Sequence, residues 1–275
     1  MENENGGSHM NRFFLSADIE GTCGIVCWDE TEAGERRYEY FARQMSREVA
    51  AACEGLIAAG AEDILVRDAH DSARNINPEL LPERARIFRN WERHPFSMMS
   101  GIDSSFAGVV FTGYHSAAGM DTNPLSHTMD TKNVYVKLNG EICPELMINC
   151  LTASYVGVPV VAVTGDRGLC EWMSAALPGV ATVPVIEGVG AGSVSIHPNL
   201  AVKRIREAVE AAAKADFSGN LFPMPAHFEL EVRWREHSRA RGAAFYPGCR
   251  QTGPYTAAYE SDDWMDVLKF IHWVL

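Results

Sequence analysis

The sequence contains no run approaching the roughly 18–20 consecutive apolar residues that a membrane-spanning helix needs. Its first ten residues, from Met1 to Met10, are polar and acidic, the opposite of a signal peptide. The stretch from Gly6 to Met10 reads as a vector-derived scar, so residues 1–10 are set aside as an expression scar. Basic side chains are scarce: 24 Lys and Arg face 36 Asp and Glu, a formal net charge of -12. That balance argues against nucleic acid or an anionic membrane as the main partner, because phosphates would be repelled. The seven cysteines are odd in number and scattered, which excludes a disulfide framework and reads as reduced thiols in a cytoplasmic protein. Cys23 and Cys27 lack a second nearby Cys or His pair, so they do not make a zinc knuckle. Gly188, Gly190 and Gly192 are not followed by Gly-Lys-Ser/Thr and do not have dinucleotide-loop spacing after the first strand. They read as a mobile substrate loop or a plain connection. The chain has no internal repeat and no low-complexity segment.

What remains is a 275-residue chain of ordinary globular composition, enough for one large or two small domains. Short apolar runs alternate with amphipathic segments. Phe13-Phe14-Leu15 ends at Ser16-Ala17-Asp18-Ile19-Glu20-Gly21. From Arg36 to Ala59 apolar residues recur at three- and four-residue steps, which predicts a helix stopped by Gly60. Ile64-Leu65-Val66 leads into Asp68-Ala69-His70, and Val109-Val110-Phe111 into Gly113-Tyr114-His115. Asn139-Gly140 predicts a hairpin after Val134–Leu138, and Pro144 opens a helix to about Tyr155. Val158–Val163 is a further strand, ending at Gly165-Asp166. The rhythm predicts an α/β fold, a mainly parallel, Rossmann-like sheet flanked by helices. Beyond Pro184 the character changes. A helix is predicted from Asn199 to Asp216, and His227–Arg235 alternates strictly, as a strand with one wet face does. A strand around Tyr255–Tyr259 and a helix from Ser261 to Val274 complete a smaller α+β unit. The expected division is a metal-binding catalytic domain over residues 11–190 and an α+β assembly or lid domain over 191–275.

The chemistry gathers at strand ends. Asp18 and Glu20, two apart in extended backbone, point to the same side. His70 and His115 end the second and third apolar runs. The carboxyl ends of parallel strands are where ligands bind, so these four groups make a metal-site constellation. Glu145, one residue into its helix, offers a fifth ligand, and five groups with one bridging carboxylate suit two ions about 3.5–4 Å apart. Asp68 and Asp166 are each either a carboxylate that orients an imidazole or a strand-end cap. His127, in the loop from Pro124 to Met129, is either a general acid/base beside the metals or a surface histidine. The remaining histidines, at 94, 197, 227, 237 and 272, have no assigned role. The residues alone leave three functions open: a metallopeptidase, another dimetal amidase or phosphoesterase, and a non-catalytic peptide- or metal-binding protein.

In order, Ser16-Ala17-Asp18-Ile19-Glu20-Gly21, Asp68-Ala69-His70, Gly113-Tyr114-His115, Ser126-His127 and Pro144-Glu145-Leu146 resemble the zinc-dependent D-aminopeptidases of the dipeptide-transport operon type. The resemblance runs from about Phe13 to the C-terminus. It implies two zinc ions per subunit, with Asp18 bridging and Glu20, His70, His115 and Glu145 completing the ligand set. It also implies His127 as the catalytic residue, a decameric ring-like homo-oligomer, and release of N-terminal D-residues from short peptides. One departure stands out: relatives carry basic side chains after the strand at Ala181–Val185, whereas this chain has Ile186, Glu187 and small residues through Ser193.

Overall fold

The computed structural model describes residues 11–275, so the expected scar over residues 1–10 lies outside the described residues. In chain order the elements are β1 (Arg12–Ala17), α1 (Tyr38–Ala58), β2 (Asp63–Asp68), β3 (Ala85–Phe88), β4 (Gly108–Tyr114), β5 (Asn133–Leu138) and β6 (Glu141–Ile142). There follow α2 (Glu145–Tyr155), β7 (Val160–Asp166), α3 (Arg167–Ala176), β8 (Ala181–Val189), β9 (Gly192–Ser195) and α4 (Pro198–Lys214). The chain ends with β10 (Phe228–Trp234), α5 (His237–Ala243), β11 (Arg250–Gln251), β12 (Thr256–Ser261) and α6 (Trp264–Val274).

Seven strands form one sheet in the order β3-β2-β1-β4-β7-β8-β9, parallel except for β9. Both faces are covered, so β4 and β7 are buried throughout and read as continuous apolar runs. Alternate residues serve two cores. Phe13, Leu15, Ile64, Val66 and Val110 pack with Val49 and Leu56 of α1 and Ile205 and Val209 of α4. Phe14, Val109 and Phe111 face α2, α6 and the inner side of a second, antiparallel sheet ordered β11-β12-β10-β5-β6. In β10 the alternation is as the sequence predicts: Phe228, Leu230, Val232 and Trp234 are buried and the charged residues between them face out. The Asn139-Gly140 hairpin also forms, with φ values of 49° and 86° that suit a two-residue turn between β5 and β6.

Three features go beyond the sequence reading. The glycines from 188 to 192 do not form a free loop, because β8 runs on to Val189 and β9 turns back against it. The segment after β7 becomes α3 at once, because Asp166 is its N-cap and accepts from the Leu169 N–H at 2.8 Å. The two sheets interleave along the chain. β5 and β6 precede residue 190 and join the antiparallel sheet, whereas β9 and α4 follow it and complete the parallel layer. The sheets therefore do not part at that residue.

For the site, the decisive feature is the strand order. From β1 the chain moves outward to β2 and β3, then crosses to β4, β7 and β8 on the other side. The reversal falls between β1 and β4, where open α/β sheets leave a crevice at their carboxyl ends. Here the turn after β1 is clamped onto β4: Asp18 N–H donates to the Thr112 carbonyl and Gly21 N–H to the Gly113 carbonyl, both at 2.8 Å. The approach needs glycine. A Cβ on Gly21 would lie 1.9 Å from the Tyr114 carbonyl oxygen, and Gly113 has a φ of +69°.

Candidate active site

Asp18 and Glu20 leave β1, His70 follows β2 and His115 follows β4, so three adjacent strands deliver them to the same crevice. Glu145 is the first residue of α2, at a helix N-terminus that favours a carboxylate, and its Oε1 accepts from Met129 N–H at 2.7 Å. The structure brings all five expected metal-site residues together, with His127 beside them. His70 Nδ1 lies 3.3 Å from Asp18 Oδ1 and 3.2 Å from Glu20 Oε2. On the other side His115 Nε2 lies 3.4 Å from Asp18 Oδ2 and 3.6 Å from Glu145 Oε1. His127 Nε2 is 3.5 Å from Glu145 Oε1 and 4.0 Å from Glu20 Oε1. Three sets of ligand atoms lie within 4.8 Å of one another: Asp18, Glu20 and His70; Asp18, His115 and Glu145; Glu20, His115 and His127. Asp18 belongs to the first two, one oxygen in each direction.

The imidazoles are oriented by backbone carbonyls, which can only accept. His70 Nε2–H therefore donates to Thr31 O at 2.8 Å, His115 Nδ1–H to Ser116 O at 3.0 Å and His127 Nδ1–H to Leu125 O at 2.9 Å. Each ring then turns its other nitrogen toward the carboxylates, the arrangement found around metal-binding histidines. Asp18 Oδ2, Glu20 Oε2 and His115 Nε2 are buried without a hydrogen-bond partner among the described residues. Asp18, Glu20 and Glu145 are at most 4% exposed, too buried for three carboxylates to lie together without compensating charge. The spacings of 3.2–3.6 Å are long for hydrogen bonds. They match the edge, about 3.3–3.5 Å, of a tetrahedron of donors around an ion with bonds of about 2.0–2.1 Å. The donor set, its spacing and its orphaned atoms fit zinc-like cations.

The electrostatics agree. Burial opposes a charge on His70 and His115. Glu20 for the first, Glu145 for the second and Asp18 for both overcome it and raise both imidazoles well above their ordinary range. Burial likewise opposes ionisation of Asp18, yet the imidazoles of His115 and His70 hold its carboxyl well below the usual carboxylate range. The crevice as a whole demands positive charge.

Asp68 takes the capping role: its carboxylate accepts from the Asn75 and Ile76 N–H groups and from the Asn75 side chain, and Asn75 Nδ2 donates to the His70 carbonyl. It shapes the loop behind His70 without touching the imidazole. Asp166 is likewise a cap that also holds Ser116 N–H at 2.6 Å. His127 is no isolated surface histidine. It stacks on His115 at 4.3 Å between ring centroids and meets Trp28 edge-on at 5.3 Å.

Above the ligands lies a cavity of about 340 Å³ whose wall includes Trp28, Glu32, Asp71, Trp91, Asp130 and His127. Sequence reasoning missed Trp28, Glu32, Asp71, Trp91 and Asp130. For Trp28 a signal existed, a large aromatic immediately before the acidic stretch Asp29-Glu30-Thr31-Glu32. The Thr31 carbonyl that orients His70 has no sequence signal at all. The residues from Ile186 to Ser193, where the family pattern is altered, do not line this cavity.

The chain matches the family model described as D-aminopeptidase (Peptidase_M55) over residues 11–273. It is 26% identical over 260 residues to the D-aminopeptidase of Bacillus subtilis (strain 168), covering 94% of each chain. It is also similar, with a TM-score of 0.87 and 25% identity, to the solved structure of the Zn-dependent D-aminopeptidase DppA from Bacillus subtilis, described as a self-compartmentalizing protease. That similarity covers 94% of this chain and 95% of the other.

Proposed function

The chain belongs to the Peptidase_M55 family of D-aminopeptidases, and from that premise we propose how this metal-dependent aminopeptidase uses its crevice. Asp18, Glu20, His70, His115 and Glu145 would hold the zinc, with Asp18 shared between a site completed by Glu20 and His70 and one completed by His115 and Glu145. The observation that carries this is the division of the Asp18 carboxylate, with one oxygen facing His70 and the other His115. Zinc bound there supplies Lewis acidity for the scissile carbonyl and lowers the pKa of water to about 7.

The chain's own groups do the rest. The Leu125 carbonyl fixes the His127 tautomer with Nε2 toward the crevice, so Nε2 takes a proton from the attacking water and passes it to the departing amine as the C–N bond breaks. Attack by His127 itself on the carbonyl is the competing role, and trapping an acyl-imidazole would establish it. Glu32, Asp71 and Asp130 on the cavity wall favour the α-ammonium group of a peptide and disfavour a phosphate ester. That supports peptide hydrolysis from the N-terminus over the phosphoesterase alternative.

The substrates are short peptides, with D-residues at the N-terminus as in the family. The Bacillus structure is described as self-compartmentalizing, which supports a homo-oligomer here; a ring of ten subunits is the form we propose for it. Val189 and Val194 on the β8–β9 hairpin, Phe245 and Trp273 are exposed apolar side chains that assembly would cover. No helix among the described residues is long and apolar enough to cross a membrane, and all seven cysteines are free thiols, which suits the cytoplasm. The direct test pairs metal analysis with hydrolysis of matched D- and L-aminoacyl dipeptides. Two zinc equivalents and selective cleavage after the D-residue are expected. A metal-free chain that cleaves both peptides, or a two-zinc chain that cleaves neither, contradicts the proposal.

A further inference from the structure

His127 stands between two cavities. The one above the metal ligands has an acidic wall and no Lys or Arg. A second, of about 390 Å³, shares Trp28, Glu32, His127 and Thr131 with it and has one cation in its lining, Arg235. The backbone sets Arg235 in place. β10 shifts register against β5 between Arg233 and Trp234, a bulge of the kind that re-aims the side chains beside it. Trp234 is fully buried, and Arg235 N–H donates to the Lys132 carbonyl at 3.0 Å. Arg239 reaches Asp130 and Arg250 pairs with Glu260, but the Arg235 guanidinium forms no ion pair among the described residues. The cavity wall does include one carboxylate, Glu32.

We infer that Arg235 receives the free C-terminal carboxylate of the substrate. This deepens the aminopeptidase reading and rests on it. A short peptide is a zwitterion. With its ammonium on the acidic wall and its scissile bond over the metal ligands, the leaving amine lies at His127 and the chain beyond enters the second cavity. One residue spans at most about 3.6 Å, so the carboxylate of a dipeptide lies close to the amine that His127 protonates, within the cavity that Arg235 lines. Guanidinium and carboxylate match in charge and in fork geometry. A longer or amidated peptide presents a neutral amide at that point. The substrate class is thereby narrowed to short peptides with a free C-terminus.

The test compares alanyl-alanine of the preferred configuration with its C-terminal amide, as kcat/KM for the zinc-loaded enzyme. The acid is expected to be favoured by roughly tenfold, mainly through KM. R235Q is expected to bring the ratio close to one, and R235K to retain part of it. An acid-to-amide ratio near one in the native enzyme, or a ratio unchanged in R235Q, overturns the inference. The same pair titrated calorimetrically into H127A, with and without R235Q, reads the contrast without turnover. If neither peptide is cleaved the aminopeptidase reading fails. Arg235 is then judged by binding alone: acid-selective binding lost with R235Q supports the inference, and equal binding of acid and amide overturns it.

Discussion

His70, His115 and His127 each commit one ring nitrogen to a backbone carbonyl and offer the other to a buried carboxylate cluster, and from that shared geometry two roles separate. His70 and His115 are at most 7% exposed, the first against Asp18 and Glu20 and the second against Asp18 and Glu145. His127 sits higher, on a loop, and lines both cavities. His127→Ala is therefore expected to lower kcat by roughly 10²–10⁴-fold while zinc stays bound, and steady-state kinetics with metal analysis on the same sample checks it. Unchanged turnover would remove His127 from the reaction. Glu20→Ala should cost a metal equivalent, read by elemental analysis. Retention of both ions would show that Glu20 is not a ligand. Asp18, Glu20, His70 and His115 were legible in the sequence because each stands where an apolar run stops, and chain order then supplies the convergence. Glu32, Asp71 and Arg235 were not, because their meaning depends on which cavity wall they join. That is fixed by packing between segments far apart in sequence.

Among the elements, the contact between the turn after β1 and the end of β4 sets the site's precision. Gly113 has a φ of +69°, and a Cβ there would meet the Asp18 carbonyl oxygen at 2.2 Å. Gly113→Ala should thus both destabilise the fold, by about 1–3 kcal/mol, and displace Asp18. A denaturation curve and zinc content, measured together, should fall together, and full zinc content in a destabilised variant would contradict the link. Helix α1 holds the next turn through Glu48, whose Oε1 accepts from Cys23 N–H and Gln44 Nε2. Burial pushes this carboxyl up to about 7, against the hydrogen bonds from Gln44 and Cys23 that oppose the rise. Between about 4.5 and 7 the unfolded chain has lost the Glu48 proton and the native chain keeps it, so stability falls as pH rises. The loss reaches about 3 kcal/mol above that window. Glu48→Gln should flatten this slope in denaturant titrations at pH 5 and pH 8, and an unaltered slope would refute the assignment. The elements themselves were mostly legible, from the α1 periodicity to the Asn139-Gly140 turn. β3, α5 and β11 were not, being short segments whose strand or helix state is decided by what they pack against.

Across the whole molecule, a doubly covered parallel sheet places the carboxyl ends of β1, β2 and β4 side by side, and the loops after β1, β2 and β3, with the segment leading into β5, build the walls above them. Residues from both ends of the chain contribute, Trp28 at one and Arg235 at the other. The interleaving of the two sheets was illegible for the same reason: strand partners of β5 lie some ninety residues away in β10, and local pattern carries no information about that pairing. The central claim is that one carboxylate, Asp18, lies between two cations at the switch in strand order. Anomalous scattering at the zinc edge from crystals of the zinc-loaded protein tests it most directly. Two peaks about 3.5–4 Å apart, one beside His70 and Glu20 and the other beside His115 and Glu145 with Asp18 between them, are what the account predicts. A single peak, or a pair that leaves Asp18 to one side, would contradict it.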